Sequence, residues 1–129
     1  MDSKKPYLLR SICQWCEDIG DTPYLLVYCN KSVIVPKEFI VDNKITLNLS
    51  QSSVTNLLIT DESVTFMARF NGVKKEVFIP IENVIAMFSN EKKDGVFFEI
   101  DQASLDLNEL KPSESQKNKS KPNLKLVKN

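Results

Sequence analysis

The chain has 129 residues, 42% hydrophobic and 26% charged, enough apolar material for the core of one domain. Its 17 Lys and Arg balance 17 Asp and Glu, but unevenly: residues 1–110 carry 11 against 16, whereas residues 111–129 carry 6 Lys against 1 Glu. The acidic body argues against a nucleic-acid surface, which needs clustered positive charge, and the absence of histidine excludes Ser-His-Asp and Cys-His catalysis, His-zinc sites and imidazole acid–base chemistry within this chain.

The first pattern, "PYLLRSICQWCEDIGD", predicts a helix. Leu8, Ile12, Trp15 and Ile19 recur at helical spacing, Pro6 suits the first turn and Gly20 the end. Leu9, Cys13 and Cys16 form a second apolar row beside the first, so the stripe is wide. Either both rows belong to one broad core face, or one packs on its own domain and the other on a second copy.

After "DTP" the period changes to that of strands: "YLLVYC", a short "VIVP" stopped by Pro36, an alternating "KITLNLS" and a short "NLLIT". The clearest local signal follows. "SVTFMARFNGVKKEVFIP" is two alternating runs joined by Asn71-Gly72, the pair preferred by a two-residue type I′ turn. That turn fixes a register in which Phe70 opposes Val73, Ala68 opposes Lys75, Phe66 opposes Val77 and Val64 opposes Ile79. The other face, with Met67, Arg69 and Phe78, is more apolar than a plain solvent face. "IENVIAMFSN" suggests a short helix or irregular turn, "EKKDG" a loop and "VFFEI" a last strand. One helix followed by six or seven short strands indicates an α+β fold with a small, strongly bent sheet or barrel. From about Asp101 the composition turns to Ser, Lys, Asn and Glu without aromatics, and residues 101–129 read as mostly disordered. Yet the last nine residues, "KPNLKLVKN", bring back Leu124, Leu126 and Val127.

No run approaches the ~20 apolar residues of a membrane span, and "MDSKKPYLLR" lacks the apolar stretch and cleavage site of a secretory signal, so the expected location is cytoplasmic. Three cysteines fit a reducing compartment. Cys13 and Cys16 match C-x-x-C, but in mid-helix rather than at the helix start where the dipole activates a thiolate. With Cys29 the only further soft ligand, no metal site or cofactor is expected. Asp61-Glu62 and Glu17-Asp18 sit where turns and helix ends usually place charge. Arg69, inside a strand, is either a surface residue pairing with Glu76 or Glu38 or a donor to a bound backbone or carboxylate. The 3 glycines form no phosphate loop, and nothing here points to an enzyme.

Taken together, "KKPYLLRSICQWCEDIGDTPYLLV", "VPKEFI", "ITLNLS", "VTFMARFNGV", "VFIPIENVIAMFSNEKKDGVFFE" and the terminal "KPNLKLVK" resemble the stringent starvation protein B family, adaptors that deliver tagged proteins to the ClpXP protease. The resemblance implies a homodimer of Sm-like β-barrels paired through the first helix, with Leu8, Leu9, Ile12, Cys13 and Cys16 as interface candidates. It also implies a groove in each barrel for the ssrA tag. Met67, Ala68, Arg69 and Phe70 would floor that groove, Ala68 admitting a guest backbone, and Phe39, Ile40 and Val41 would wall it. Ala68 in a tight barrel interior is the plainer alternative. Pro122, Leu124, Lys125, Leu126, Val127 and Lys128 would dock on the N-terminal zinc-binding domain of ClpX. The implied organisation is a binding and dimerisation domain over residues 1–100, a flexible linker over 101–120 and a docking motif over 121–129. Against the family pattern the linker is short and basic, and Lys37 replaces an apolar residue. The competing expectation is an Sm-like RNA-binding module, which the acidic body opposes.

Overall fold

The computed structural model describes residues 3–110. The elements are α1 (Lys5–Ile19), β1 (Pro23–Tyr28), β2 (Lys44–Asn48), β3 (Val54–Ile59), β4 (Ser63–Phe70), β5 (Val73–Pro80), β6 (Val84–Ser89), β7 (Asp94–Phe97) and α2 (Gln102–Leu110). Short 3-10 turns occupy Lys37–Phe39 and Ile81–Asn83. The helix forms as its pattern predicts, with Pro6 in the first turn and Gly20 at a left-handed φ of 80° closing the end.

The strands form two antiparallel sheets, ordered β2-β1-β6-β7 and β3-β4-β5. The fold is α+β, but the anticipated barrel is not closed: the ladders end at β2 and β7 in one sheet and at β3 and β5 in the other. The two sheets share one core. Leu25, Val27, Ile45 and Leu47 enter it from the first, Val64, Phe66, Val77 and Ile79 from the second, and Leu9 from α1.

Asn71 and Gly72 both hold positive φ, 54° and 81°, as a type I′ turn requires. The β4–β5 register is the one the turn dictates, with Phe70↔Val73, Ala68↔Lys75, Phe66↔Val77 and Val64↔Ile79. Gly95 is demanded by space rather than by φ, because a Cβ there would lie 2.2 Å from the Met87 carbonyl oxygen.

Three segments differ from the sequence reading. "VIVP" forms no strand and contributes a single bridge, Ile34 to Phe78. "IENVIAMFSN" is chiefly strand β6, held between β1 and β7; Val84, Ala86, Met87 and Ser89 are all buried, so the strand shows no clean alternation. Order also continues past residue 100 into α2. Asp101 caps that helix by accepting a bond from the Ser104 amide at 3.1 Å, and Leu105 is 5% exposed. The Tyr28 hydroxyl donates to the Asp106 carboxylate, and Asn30 Nδ2 donates to the Leu105 carbonyl at 3.3 Å. Residues 111–129, including the rest of the expected linker and Pro122, Leu124, Lys125, Leu126, Val127 and Lys128, lie outside the described residues.

The α1–β1 and β6–β7 connections are tied together by charge. Lys92 Nζ and Ser89 Oγ donate to Asp21 at 2.9 and 2.8 Å, and the Thr22 amide and hydroxyl donate to Glu91 at 2.7 and 2.8 Å. These bonds hold both carboxyls below their ordinary pKa, Asp21 chiefly through Lys92 and Glu91 chiefly through the Thr22 amide. A depressed folded-state pKa gives stability that is present above the unfolded value and lost as pH falls through the folded one. Thermal melts taken from about pH 7 down to about pH 3 should therefore show a steeper fall in Tm for the wild type than for Asp21→Asn/Glu91→Gln. Parallel curves would place the acid sensitivity elsewhere.

Candidate functional site

The pairing of β3 with β4 stops at Val54↔Ala68. Upstream the chain turns away through residues 50–53, where the Ser53 and Val54 amides both donate to the Ser50 carbonyl. Arg69 and Phe70 thus keep their β5 partners, Lys74 and Val73, but have none on β3. An open groove occupies the gap. It consists of two adjoining hollows: one of about 180 Å³ lies against Thr46, Leu47, Asn48, Phe66 and Phe70, and one of about 330 Å³ against residues 51–55, Met67 and Lys74. Ser53, Ala68 and Arg69 line both. The strand on the far side, β2, is a sheet edge, so part of its backbone is free for a further hydrogen-bonded partner.

Met67, Ala68, Arg69 and Phe70 all line these hollows. Ala68 lies half-buried where the hollows meet, and any longer side chain there would fill the junction. Phe39 joins through its ring, 5.4 Å from that of Phe70. Ile40 packs on the core instead, and Val41, 69% exposed and bridged to Lys44, lines neither hollow. Arg69 makes no ion pair with Glu76 or Glu38; among the described residues its Nη1 donates to the Gly72 carbonyl, at 3.4 Å. The sequence reading missed the wall formed by Gln51, Ser52 and Ser53, and also Lys74. The polar run "QSS" between two strands was the available signal.

The two apolar rows of α1 part in burial except at Ile12, which belongs to the first row but packs with the second. Leu9 and Cys16 are fully enclosed, with Ile12 and Cys13 packed half-buried on the same core. Leu8 and Trp15 are half-buried on the flank, continuing to exposed Ile19 and, at the helix start, Tyr7. Of the interface candidates, Leu9 and Cys16 therefore serve their own protomer. A third hollow of about 580 Å³ opens between Cys13, Glu17 and the 50–52 turn.

The sequence that builds this groove matches known proteins. The family model described as "Stringent starvation protein B" matches residues 3–128. The chain is also similar to a "Stringent starvation protein B homolog" of Haemophilus influenzae, 41% identical over 114 residues that cover 88% of this chain and 75% of that protein.

The three cysteines are free thiols, Cys16 buried and Cys13 and Cys29 half-buried. Burial pushes the Cys29 thiol up to about 11, and burial followed by Asp21 does the same for Cys16; Cys13 is raised by burial and then by Glu17. Thiols so raised supply almost no thiolate at neutral pH. At about pH 8 iodoacetamide should label the native protein at least tenfold more slowly than the protein unfolded in guanidinium. Rapid native labelling of Cys13 or Cys16 would reopen a redox role.

Proposed function

The chain belongs to the stringent starvation protein B family, and on that premise we propose that it is a non-catalytic adaptor. It binds ssrA-tagged polypeptides in the groove at Ala68 and tethers them to the ClpXP unfoldase–protease, enhancing their degradation. The observation that carries this reading is the open groove where β3 stops short of Arg69 and Phe70. An extended peptide needs backbone partners and a floor low enough to approach. The edge of β2 offers the first and Ala68 the second.

The remaining parts follow from the family reading. Pro122, Leu124, Lys125, Leu126, Val127 and Lys128 form the motif that docks on the N-terminal zinc-binding domain of ClpX, and the chain before them is its tether. Two weak contacts joined by a tether make capture effectively intramolecular, so the combined affinity exceeds either alone. The protein works in the cytoplasm as a homodimer, which doubles the tails. The flank of α1 carrying Leu8, Trp15 and Ile19 is the available seam, because the Leu9–Cys16 row is already occupied by the core.

Two variants separate the two contacts. Ala68→Gln should weaken binding of a fluorescein-labelled ssrA peptide by at least about tenfold while leaving the melting curve near wild type, since overpacking a guest site costs ~1–3 kcal/mol. Deleting residues 121–129 should leave peptide affinity unchanged and abolish stimulation of degradation by ClpXP. Unaltered anisotropy titrations for Ala68→Gln would remove the groove from the account, and full stimulation by the truncated chain would remove the tail.

A further inference from the structure

Helix α2 is held to the rest of the molecule by little. Of its described side chains Leu105 is buried, whereas Gln102, Ala103, Ser104 and Asp106 are exposed. Leu105 also stands apart from the core that the two sheets share. The Tyr28 hydroxyl donates to Asp106 and Asn30 Nδ2 donates to the Leu105 carbonyl, and water can take the place of either bond once the helix lifts. At 9 residues the helix is shorter than the ~12–15 at which an isolated helix becomes even marginal in water, so off its seat it unwinds. Its start is nonetheless well made: Asp101 accepts from the Ser104 amide through its side chain and from the Leu105 amide, at 3.0 Å, through its carbonyl. The seat does not need the helix. Fully buried Asn83 donates to the Tyr28 carbonyl at 2.7 Å and to Asn30 Oδ1 at 3.2 Å, holding both residues in place independently of α2.

We propose that α2 is a reversible clasp: it opens locally while both sheets stay folded, and it closes again on a preformed seat. A weakly held helix on a rigid seat opens at a free energy well below that of global unfolding. Its effect on the tail rests on the adaptor reading. With the clasp shut the tether before Leu124 spans residues 111–123; with it open, residues 101–123. The local concentration of a tethered ligand falls as about the three-halves power of length, so opening exchanges a roughly twofold loss in capture for a longer reach.

The test follows hydrogen exchange in the full-length protein by mass spectrometry. Amides of residues 103–110 should be protected, yet exchange at least about a hundredfold faster than those of β4 and β5. Leu105→Ala should speed exchange across 103–110 by about tenfold or more and leave both β4–β5 exchange and the Tm at wild-type values, which a helix integral to the fold would not allow. Exchange of 103–110 as slow as that of β4 and β5, exchange at the rate of an unstructured chain, or a fall in Tm with Leu105→Ala each overturns the clasp. In degradation assays with ClpXP and an ssrA-tagged substrate, Leu105→Ala should raise the adaptor concentration for half-maximal stimulation by up to about twofold, in the same direction as about ten Gly/Ser residues inserted after Leu110 of the wild type. A shift with the insertion and none with Leu105→Ala overturns the change of tether length and leaves the adaptor reading intact. Absence of stimulation by the wild type overturns the adaptor reading and the tether role together, while the exchange pattern still decides the clasp.

Discussion

Asn71 and Gly72 tie β4 to β5 in a register that cannot slip by one place without turning Val64, Phe66, Val77 and Ile79 out of the core. Each of those side chains contributes about 1.5–3 kcal/mol by burial, so a slip that turned all four out would cost on the order of 6–12 kcal/mol, comparable to the whole stability of a small domain. The turn by itself is weak and would not hold against that sum. It matters because it agrees with it, and the agreement leaves one arrangement of the hairpin.

From that register the groove follows without further adjustment. If Val64 and Phe66 point inward, Ala68 is the next inward position, and its small side chain leaves a hollow where β3 has already turned away. The intervening residues, Met67 and Arg69, are carried to the outer side, and the cross-strand partner of Arg69 is then Lys74. The same constraint that packs the core therefore sets both the depth of the groove and the charge at its mouth. The groove thus draws on both parities of the strand, Ala68 and Phe70 continuing the inward row of Val64 and Phe66, and Met67 and Arg69 coming from the outer row.

The parts legible in the sequence were those whose periodicity reports a single environment. The β4–β5 hairpin has one buried and one more open side, so Phe66 with Val77 carried their placement openly; helix α1 was legible as a helix, but its two adjoining apolar rows left open which was core, and Leu9 and Cys16, named as interface candidates, are fully buried in their own domain. Strand β6 was misread because it has no open side; a run such as Val84, Ala86 and Met87 looks the same whether buried as strand or as helix. Helix α2 was missed for the opposite reason. Leu105 is the one buried apolar side chain described on it, and its other anchors are the Tyr28–Asp106 and Asn30–Leu105 bonds across more than seventy residues of sequence. The outline of the groove was partly readable: Met67, Ala68, Arg69 and Phe70 sit in a marked hairpin, whereas the Gln51–Ser53 wall is defined by where a turn leaves the sheet, which composition alone does not state.

The docking of α2 also bears on the proposed tether. Asn83, fully buried, donates to the Tyr28 carbonyl at 2.7 Å and to Asn30 Oδ1 at 3.2 Å, while Asn30 and Tyr28 in turn hold α2. The root of the tail is thus fixed near Leu110 rather than near residue 100. Counted from Leu110 instead of residue 100, the sequence leaves 13 rather than 23 residues before Leu124, and in the proposed adaptor the reach of a flexible tether would fall by roughly a quarter, because coil span grows as the square root of length. The local concentration of its tip rises roughly twofold over the same change, since that quantity falls as the three-halves power of length. In the proposed adaptor a short tether therefore favours tight capture over long reach.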